Sequence, residues 1–241
     1  MTLLPPRTIL AILLLGATVV SAQDASPDPV ADTHGLPLYV RLLPKPAVEP
    51  WKPITPKERF RDYTRLTFSP AAALGAVAGG ALSQAVNSPG EWGQGWGAYG
   101  IRVTSSYGST LISNTVIYGA SAMLHEDTRY FRSTSEKFSG RLGHVIISPY
   151  IARTDDGRTR FSGAQFLGSA SYSAVQLAWT PDSFQGWDNV AFNYLIWYGK
   201  TAGINFAKEL YPSIARYYRN KRAKRTAKAL AAIVSGSAEQ H

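Results

Sequence analysis

Three long stretches of the sequence contain no charged residue, and this feature limits the possible folds most. With histidine taken as neutral, they cover residues 66–90, 103–125 and 161–181. The first is composed largely of alanine, glycine and other apolar residues, so a helix formed from it is apolar on every face. Such a helix belongs in the centre of a packed bundle or in a membrane. The second is rich in serine, threonine and asparagine, which favours the interior of a helical body over contact with lipid.

Helix-start signals lie beside these stretches. In a capping box, a hydroxyl residue and a glutamate three positions later bind the unpaired N–H groups of the first turn, and proline is favoured at the first helical position. Residues 55–58 and 88–91 have this full pattern, residues 133–136 lack only the proline, and Ser69 and Thr180 are each followed by proline. We therefore predict a mainly α fold: a compact bundle of small-residue-rich helices after an extended Pro-rich arm.

Small and aromatic residues suggest how these helices pack. Ala71, Gly75, Gly79 and Ser83 recur at every fourth position, a spacing that lets a second backbone approach closely. Trp92, Trp96 and Tyr99 are spaced to share one helix face. We expect this face in the core, with a place at a membrane interface as the alternative.

An outer-membrane β-barrel is the alternative fold. The 21 glycines, the 12% aromatic content and the absence of cysteine suit a barrel, and residues 153–158 suit a hairpin turn. Barrels, however, require repeated stretches of about ten residues that alternate in hydrophobicity, and these are missing. The stretch rich in alanine and glycine is also a poor strand by propensity, so helices are favoured.

The sequence divides into four segments. Residues 1–22 are predicted to be a signal peptide, because a basic residue precedes a short apolar run and small residues end it. The chain is therefore expected to be exported, to the periplasm or in association with the outer membrane or envelope. Residues 23–54 form a Pro-rich extended arm, residues 55–212 the helical body, and residues 213–241 a basic C-terminal helix or tail.

The arm holds most of the proline. Eight of the 15 prolines lie in residues 23–56, and proline fixes φ and removes a hydrogen-bond donor. An apolar patch at residues 36–43 is able to dock on the body, but a solvated tether is the favoured interpretation.

One dense polar cluster offers candidate chemistry. His125, Glu126 and Asp127 are consecutive, and His144 follows 19 positions after His125. Two histidines and a carboxylate are able to hold a metal ion, with His125, Glu126 and His144 as candidate ligands, or to act as an acid–base set of His125, Asp127 and His144. The alternative is a polar helix end whose carboxylates pair with Arg129 and Arg132. No cofactor is predicted.

The positive charge is concentrated near the C-terminus. Of the net charge of +9, seven cations lie within 13 residues that contain no acid: Arg216, Arg219, Lys221, Arg222, Lys224, Arg225 and Lys228. We call residues 216–228 the basic segment. For an exported chain, anionic lipid headgroups or an envelope polyanion are the expected partners, rather than cytoplasmic nucleic acid. A solvated tail without a dedicated partner is the alternative, and self-association stays open.

The motifs at residues 87–100 and 125–133, followed by those at 140–144 and 153–157, resemble in their order a group of uncharacterised exported bacterial proteins. The resemblance implies no activity, and no catalytic residue is carried over from it. The predicted leader, the small-residue helices and the basic segment lead us to predict an exported cell-envelope protein with a structural or interaction role, which is favoured over an enzyme. A metal-dependent or acid–base hydrolase and a barrel protein are the alternatives.

Overall fold

The computed structural model describes residues 35–41, 43–47 and 50–238, and for residues 231–238 the backbone alone. The leader predicted at residues 1–22 and the first part of the arm lie outside these residues. The structure is 72% helix and 5% strand, so the fold is mainly α and the barrel alternative is wrong. The α-helices are α1 (Leu38–Arg41), α2 (Pro56–Phe68), α3 (Pro70–Ala85), α4 (Trp96–Met123), α5 (Phe138–Ile147), α6 (Gly163–Gln176) and α7 (Trp187–Ala238).

Two predicted helix starts are confirmed by their hydrogen bonds. The hydroxyl of Thr55 accepts from the backbone N–H of Glu58 at 3.3 Å, and the Glu58 carboxylate accepts from the N–H of Thr55 at 3.0 Å. The hydroxyl of Ser69 accepts from the N–H of Ala72 at 3.2 Å. Both helices therefore begin where the local sequence satisfies their first N–H groups.

The other three predicted starts are wrong. Residues 88–91 lead into a 3₁₀ turn, Gly90–Trp92, and Thr180 precedes another, Asp182–Phe184. α5 begins at Phe138, after Lys137, without a side-chain cap. In the first case no side chain caps the turn, and the Glu91 carboxylate accepts a hydrogen bond from the distant Ser183 hydroxyl.

α4 is the central helix and packs against α2, α3 and α6. Its approach to α3 is close at Gly80, where a Cβ would lie 2.9 Å from the backbone nitrogen of Val103. The hydroxyl of Ser113 donates to the carbonyl of Gly168 at 2.8 Å, which joins α4 to α6. The predicted stripe is only partly correct, because a Cβ at Gly75 would meet no other part of the structure within 4 Å.

A small antiparallel sheet closes the end of the body where α4 terminates. Its strands are β1 (Glu126–Asp127), β2 (Ile151–Thr154) and β3 (Thr159–Phe161), in the order β1-β2-β3. The turn between β2 and β3 contains Asp155, Asp156 and Gly157, and Gly157 has a φ of 82° that favours glycine. The local hairpin prediction at residues 153–158 is therefore confirmed within a helical protein.

α7 has 52 residues, which corresponds to a length of about 78 Å. It continues through Pro212, so the predicted boundary at residue 213 lies inside one helix. Leu36 and Val40 are buried against Tyr211 and Ala215 of α7. The patch at residues 36–43 therefore docks on the body, and the interpretation as a solvated tether is wrong because these apolar side chains find an apolar partner.

Candidate functional site

Glu126 acts as a cap for a distant helix. Its carboxylate accepts from the Ser162 hydroxyl at 2.7 Å and from the backbone N–H groups of Gly163 and Ala164 at 2.9 and 3.0 Å. These are the first N–H groups of α6, which a negative charge also favours through the helix dipole. A metal-ligand role for Glu126 would require breaking this cap.

Asp127 forms a buried ion pair with its neighbour Arg129. The Arg129 guanidinium donates to the Asp127 carboxylate at 2.6–3.1 Å, and the indole N–H of Trp51 donates to it at 3.2 Å. The Asp127 side chain raises the pKa of Arg129 by accepting its hydrogen bond. The predicted pairing of the carboxylates with Arg129 is confirmed for Asp127.

Glu209 connects α7 to this region, and the sequence reasoning did not select it. Its buried carboxylate accepts from the Tyr130 hydroxyl at 2.8 Å, from the N–H of Ser133 at 3.1 Å and from Nε of Arg141 at 2.6 Å. Arg132 Nε lies 3.7 Å from the same carboxylate. Burial, together with the bond to Glu209, raises the pKa of the Tyr130 phenol. We call residues 126–133, Arg141 and Glu209 the polar junction.

The two candidate histidines have separate partners. Nδ1 of His125 lies 3.0 Å from an Asp155 oxygen, and Nε2 of His144 lies 3.0 Å from the Phe131 carbonyl oxygen. Among the residues that the structure describes, no three His, Cys, Asp or Glu side chains are grouped to hold a metal ion. The metal and acid–base site stays a prediction, and the described contacts instead use Glu126 and Asp127 to join helices and strands.

A buried arginine organises the opposite end of the body. Arg102 on α4 is buried and donates to the carbonyl oxygens of Ser88, Pro89 and Gly93 at 2.6–3.1 Å. It also donates to Oε1 of Gln84 at 2.5 Å. These acceptors lie in α3 and in the loop that connects it to α4, so one cation fixes the conformation of that loop.

The outward face of α3 is entirely apolar. Every exposed residue of this helix is Ala, Gly, Val, Leu or Pro, and Leu74 is 63% exposed. Its only polar side chains, Ser83 and Gln84, are half-buried and bind the loop that follows. This arrangement is the reverse of that in a surface helix of a soluble protein, whose polar residues face water.

The neighbouring helices share this arrangement. Polar groups bind one another inside the body: Lys200 donates to the Thr110 hydroxyl at 3.2 Å, and the Trp197 indole donates to Ser113 at 3.1 Å. Large apolar side chains face outward on α6, on residues 187–204 of α7 and, at Ile101, on α4. We call this set, together with the α3 face, the apolar exterior; its large members are Leu74, Val77, Leu82, Ile101, Phe166, Leu167, Phe192, Leu195, Ile196 and Ile204.

Among the described residues, the stretch Pro56–Ala85, which comprises α2 and α3 with Ser69 between them, is long and apolar enough to cross a membrane by length and composition. Its most apolar window has a mean hydropathy of 1.3, and only 17% of that window is buried. The core helix of a soluble protein also passes this test, but such a helix is mostly buried. The window is mostly unburied, unlike an ordinary core helix.

Two exposed tryptophans mark the end of the body that carries the Arg102 loop. Trp96 begins α4 and is 89% exposed, and Trp187 begins α7 and is 88% exposed. The hydrogen bond from Ser183 to Glu91 joins the two segments that precede these helices. The expectation that Trp96 lies in the core is wrong. Trp92 is separated from the Trp96 face by a turn, because α4 starts only at Trp96.

The basic segment begins with the half-buried Arg216 and Arg219 and continues into the exposed part of α7. Residues 221–230 are all exposed. Lys221, Arg225 and Lys228 lie on one helix face at positions i, i+4 and i+7, with Lys224 beside them. The opposite face carries Ala223, Ala227 and Leu230.

Comparison of the chain with models of known protein families, with curated proteins and with solved structures gives no match.

Proposed function

We propose that this protein is an exported cell-envelope protein with a structural or interaction role, whose apolar exterior contacts membrane hydrocarbon and whose basic segment contacts anionic headgroups. The observation that carries this proposal is the outward face of α3, which has no polar side chain while the polar groups of its neighbours face inward. Water would make such a surface costly, because burial of apolar area is the dominant favourable term in folding and association. Lipid removes that cost.

The dimensions of the body support the same proposal. Trp187 and Glu209 are 22 positions apart on one helix, which is about 33 Å along its axis. The hydrocarbon core of a bilayer is about 30 Å thick. On α7, the exposed Phe192, Leu195, Ile196 and Ile204 thus lie between Trp187 and Glu209 of the polar junction. An exposed tryptophan such as Trp187 favours a membrane interface.

Flotation of the mature chain with vesicles tests the proposal. We expect wild type to float with vesicles and to stay bound at high salt, because salt screens headgroup attraction but not apolar contact. In Leu74→Lys/Leu82→Lys, each lysine opposes insertion by about 2.5–3.5 kcal/mol at the centre of a bilayer. The floating fraction of this variant is expected to fall sharply.

The matched control is Thr159→Lys, which adds a cation at an exposed position on β3, beyond the apolar exterior. This variant is expected to float like wild type. A wild-type chain that stays soluble without detergent and does not float would refute the membrane proposal. Release of wild type by high salt alone would restrict the contact to the basic segment.

A further inference from the structure

Lys200 is the one charged residue in a long stretch of α7. No other Asp, Glu, Lys or Arg occurs between Asp188 and Lys208. Lys200 follows Trp187 by 13 positions and precedes Glu209 by nine, which corresponds to about 20 Å and about 14 Å along the helix axis. The lysine is therefore distant from both the exposed tryptophan and the polar junction.

The ammonium of Lys200 contacts only neutral groups among the residues that the structure describes. It donates to the Thr110 hydroxyl at 3.2 Å and lies 5.0 Å from the ring centre of the buried Tyr172. The Thr110 hydroxyl donates in turn to the Ser106 carbonyl at 2.8 Å. No described carboxylate forms an ion pair with the lysine. A charge removed from water is costly unless it is paired, so this ammonium needs an anion from outside the described fold.

The surface of α7 beside Lys200 is apolar and open. Ile196 and Ile204, at i−4 and i+4, lie one turn before and one turn after the lysine, and both belong to the apolar exterior. Gly203, at i+3, is exposed, and a Cβ there would meet no other part of the structure within 4 Å. We call Ile196, Lys200, Gly203 and Ile204 the Lys200 strip. An extended apolar chain is able to lie along this strip with one end at the lysine, which is itself only half-buried.

We propose that Lys200 binds the carboxylate of a long-chain fatty acid whose acyl chain lies along the Lys200 strip. Charge complementarity selects the anionic end, and the apolar flanks select the chain. A fatty acid has a single polar group, so its pairing with the ammonium leaves no other polar group in apolar surroundings. A phospholipid fits less well, because its headgroup stays outside the hydrocarbon core. The exclusion of phospholipid rests on the proposed membrane function, whereas the charge pairing is independent of it.

Palmitate binding to the protein in micelles of the non-ionic detergent dodecyl maltoside tests the proposal. The readout is the NMR resonance of a carbon-13 label at the palmitate carboxyl carbon, whose chemical shift reports pairing of the carboxylate. We expect saturable binding to wild type. Lys200→Met is expected to weaken it about 10- to 100-fold, the size of a lost charge-assisted hydrogen bond. Lys200→Arg keeps the charge and should retain most of the binding.

The matched control is Lys208→Met, which removes the other half-buried lysine of α7. This variant is expected to bind palmitate like wild type. Hexadecanol has the same chain length without a carboxylate, so it should compete with palmitate about tenfold less well or worse. Equal competition by hexadecanol, or unchanged palmitate binding in Lys200→Met, would overturn the proposal, because apolar contact alone would then explain the binding.

Photolabelling of wild type gives a test that does not depend on the folding of any variant. A fatty acid with a diazirine next to its carboxyl group should label residues 196–204, and excess palmitate should suppress this labelling. Labelling confined to other segments would overturn the placement on the Lys200 strip. Palmitate binding through Lys200 in a chain that does not float with vesicles would refute the proposed function and leave this site intact. A wild-type chain that floats but binds no palmitate would overturn the site alone.

Discussion

Glu209→Ala is expected to destabilise the fold more than any other loss of a single acid among the described residues. The wild-type carboxylate is only 2% exposed and accepts hydrogen bonds from Tyr130, Ser133 and Arg141. The variant leaves those three donors without their acceptor, and it leaves the guanidinium of Arg141, which is itself 19% exposed, without its counter-charge. Breaking one partner of a buried ion pair costs about 3–5 kcal/mol, so we expect the free energy of unfolding to fall by that amount.

The measurement is denaturant unfolding in mild detergent, followed by helical ellipticity. Glu136→Ala is the control, because Glu136 is exposed and forms no described ion pair or hydrogen bond. Glu209→Gln keeps the shape of the side chain but loses its charge. Because its hydrogen bonds are weaker, we expect the free energy of unfolding to fall by about 1.5–3 kcal/mol. Replacing both partners, as in Arg141→Met/Glu209→Leu, should recover much of the loss, since the uncompensated charge is gone. A Glu209→Ala variant within about 1 kcal/mol of the control would refute the account of the polar junction, because that is the size of an exposed pair.

Three further predictions concern other buried groups. Arg102→Lys should lower the free energy of unfolding by about 2–4 kcal/mol and increase proteolysis at residues 87–95. The reason is that a single ammonium cannot bind all the acceptors of the guanidinium group. Unchanged proteolysis at residues 87–95 would contradict this role of Arg102. Glu126→Ala should lower the free energy of unfolding, measured by thermal unfolding, by about 1–3 kcal/mol, because α6 loses its cap. An unchanged free energy of unfolding would contradict this role and show that water replaces the carboxylate. Burial lowers the pKa of Lys208 from 10.5 to about 8. The unfolded chain then keeps a proton that the folded chain has released, so stability rises between pH 8 and 10.5, by at most about 3 kcal/mol. Lys208→Met should lack this rise in a pH series of unfolding curves, and parallel curves would contradict the assignment.

Local signals in the sequence predict the helices but not their long-range contacts. Thr55 and Ser69 cap their helices because each hydroxyl needs only an N–H three residues away, and the hairpin at residues 153–158 needs only its own turn. Residues 88–91 have the same local pattern as residues 55–58. Their groups bind elsewhere, since the Ser88 carbonyl accepts from Arg102 and Glu91 accepts from Ser183. A local sequence pattern does not reveal hydrogen-bond partners that are distant along the chain.

The sequence indicates only part of the polar junction. The cluster at residues 125–132 is conspicuous because its polar residues are consecutive, but its chemistry depends on partners that are distant along the chain. Glu209, its main partner, is 79 positions after Tyr130. One signal was available: Glu209 is the only acid between Asp188 and Glu239, in a segment rich in cations. A lone acid of this kind in a helix indicates a specific ion pair, because a solvated face would carry several.

The orientation of α3 also depends on its neighbours. Its sequence predicts a helix that is apolar on every face, which is compatible with burial in a bundle and with contact to lipid. On α4 the buried polar residues are Arg102, Ser109, Ser113 and Ser121, whereas Leu74, Val77 and Leu82 of α3 are exposed. A single segment cannot reveal this, because exposure is a property of the assembled helices.

Spin labels at single introduced cysteines test the central claim most directly, because the chain contains no cysteine of its own. Labels at Leu74, Leu82 and Phe192 of the apolar exterior are compared with a label at Arg158, in protein reconstituted into vesicles. The measurement is the collision rate of each label with oxygen, which concentrates in hydrocarbon, and with a water-soluble nickel chelate. We predict high oxygen and low nickel accessibility at the three apolar positions, and the reverse at Arg158. Nickel accessibility at Leu74, Leu82 and Phe192 equal to that at Arg158 would show that the apolar exterior faces water and would contradict the account.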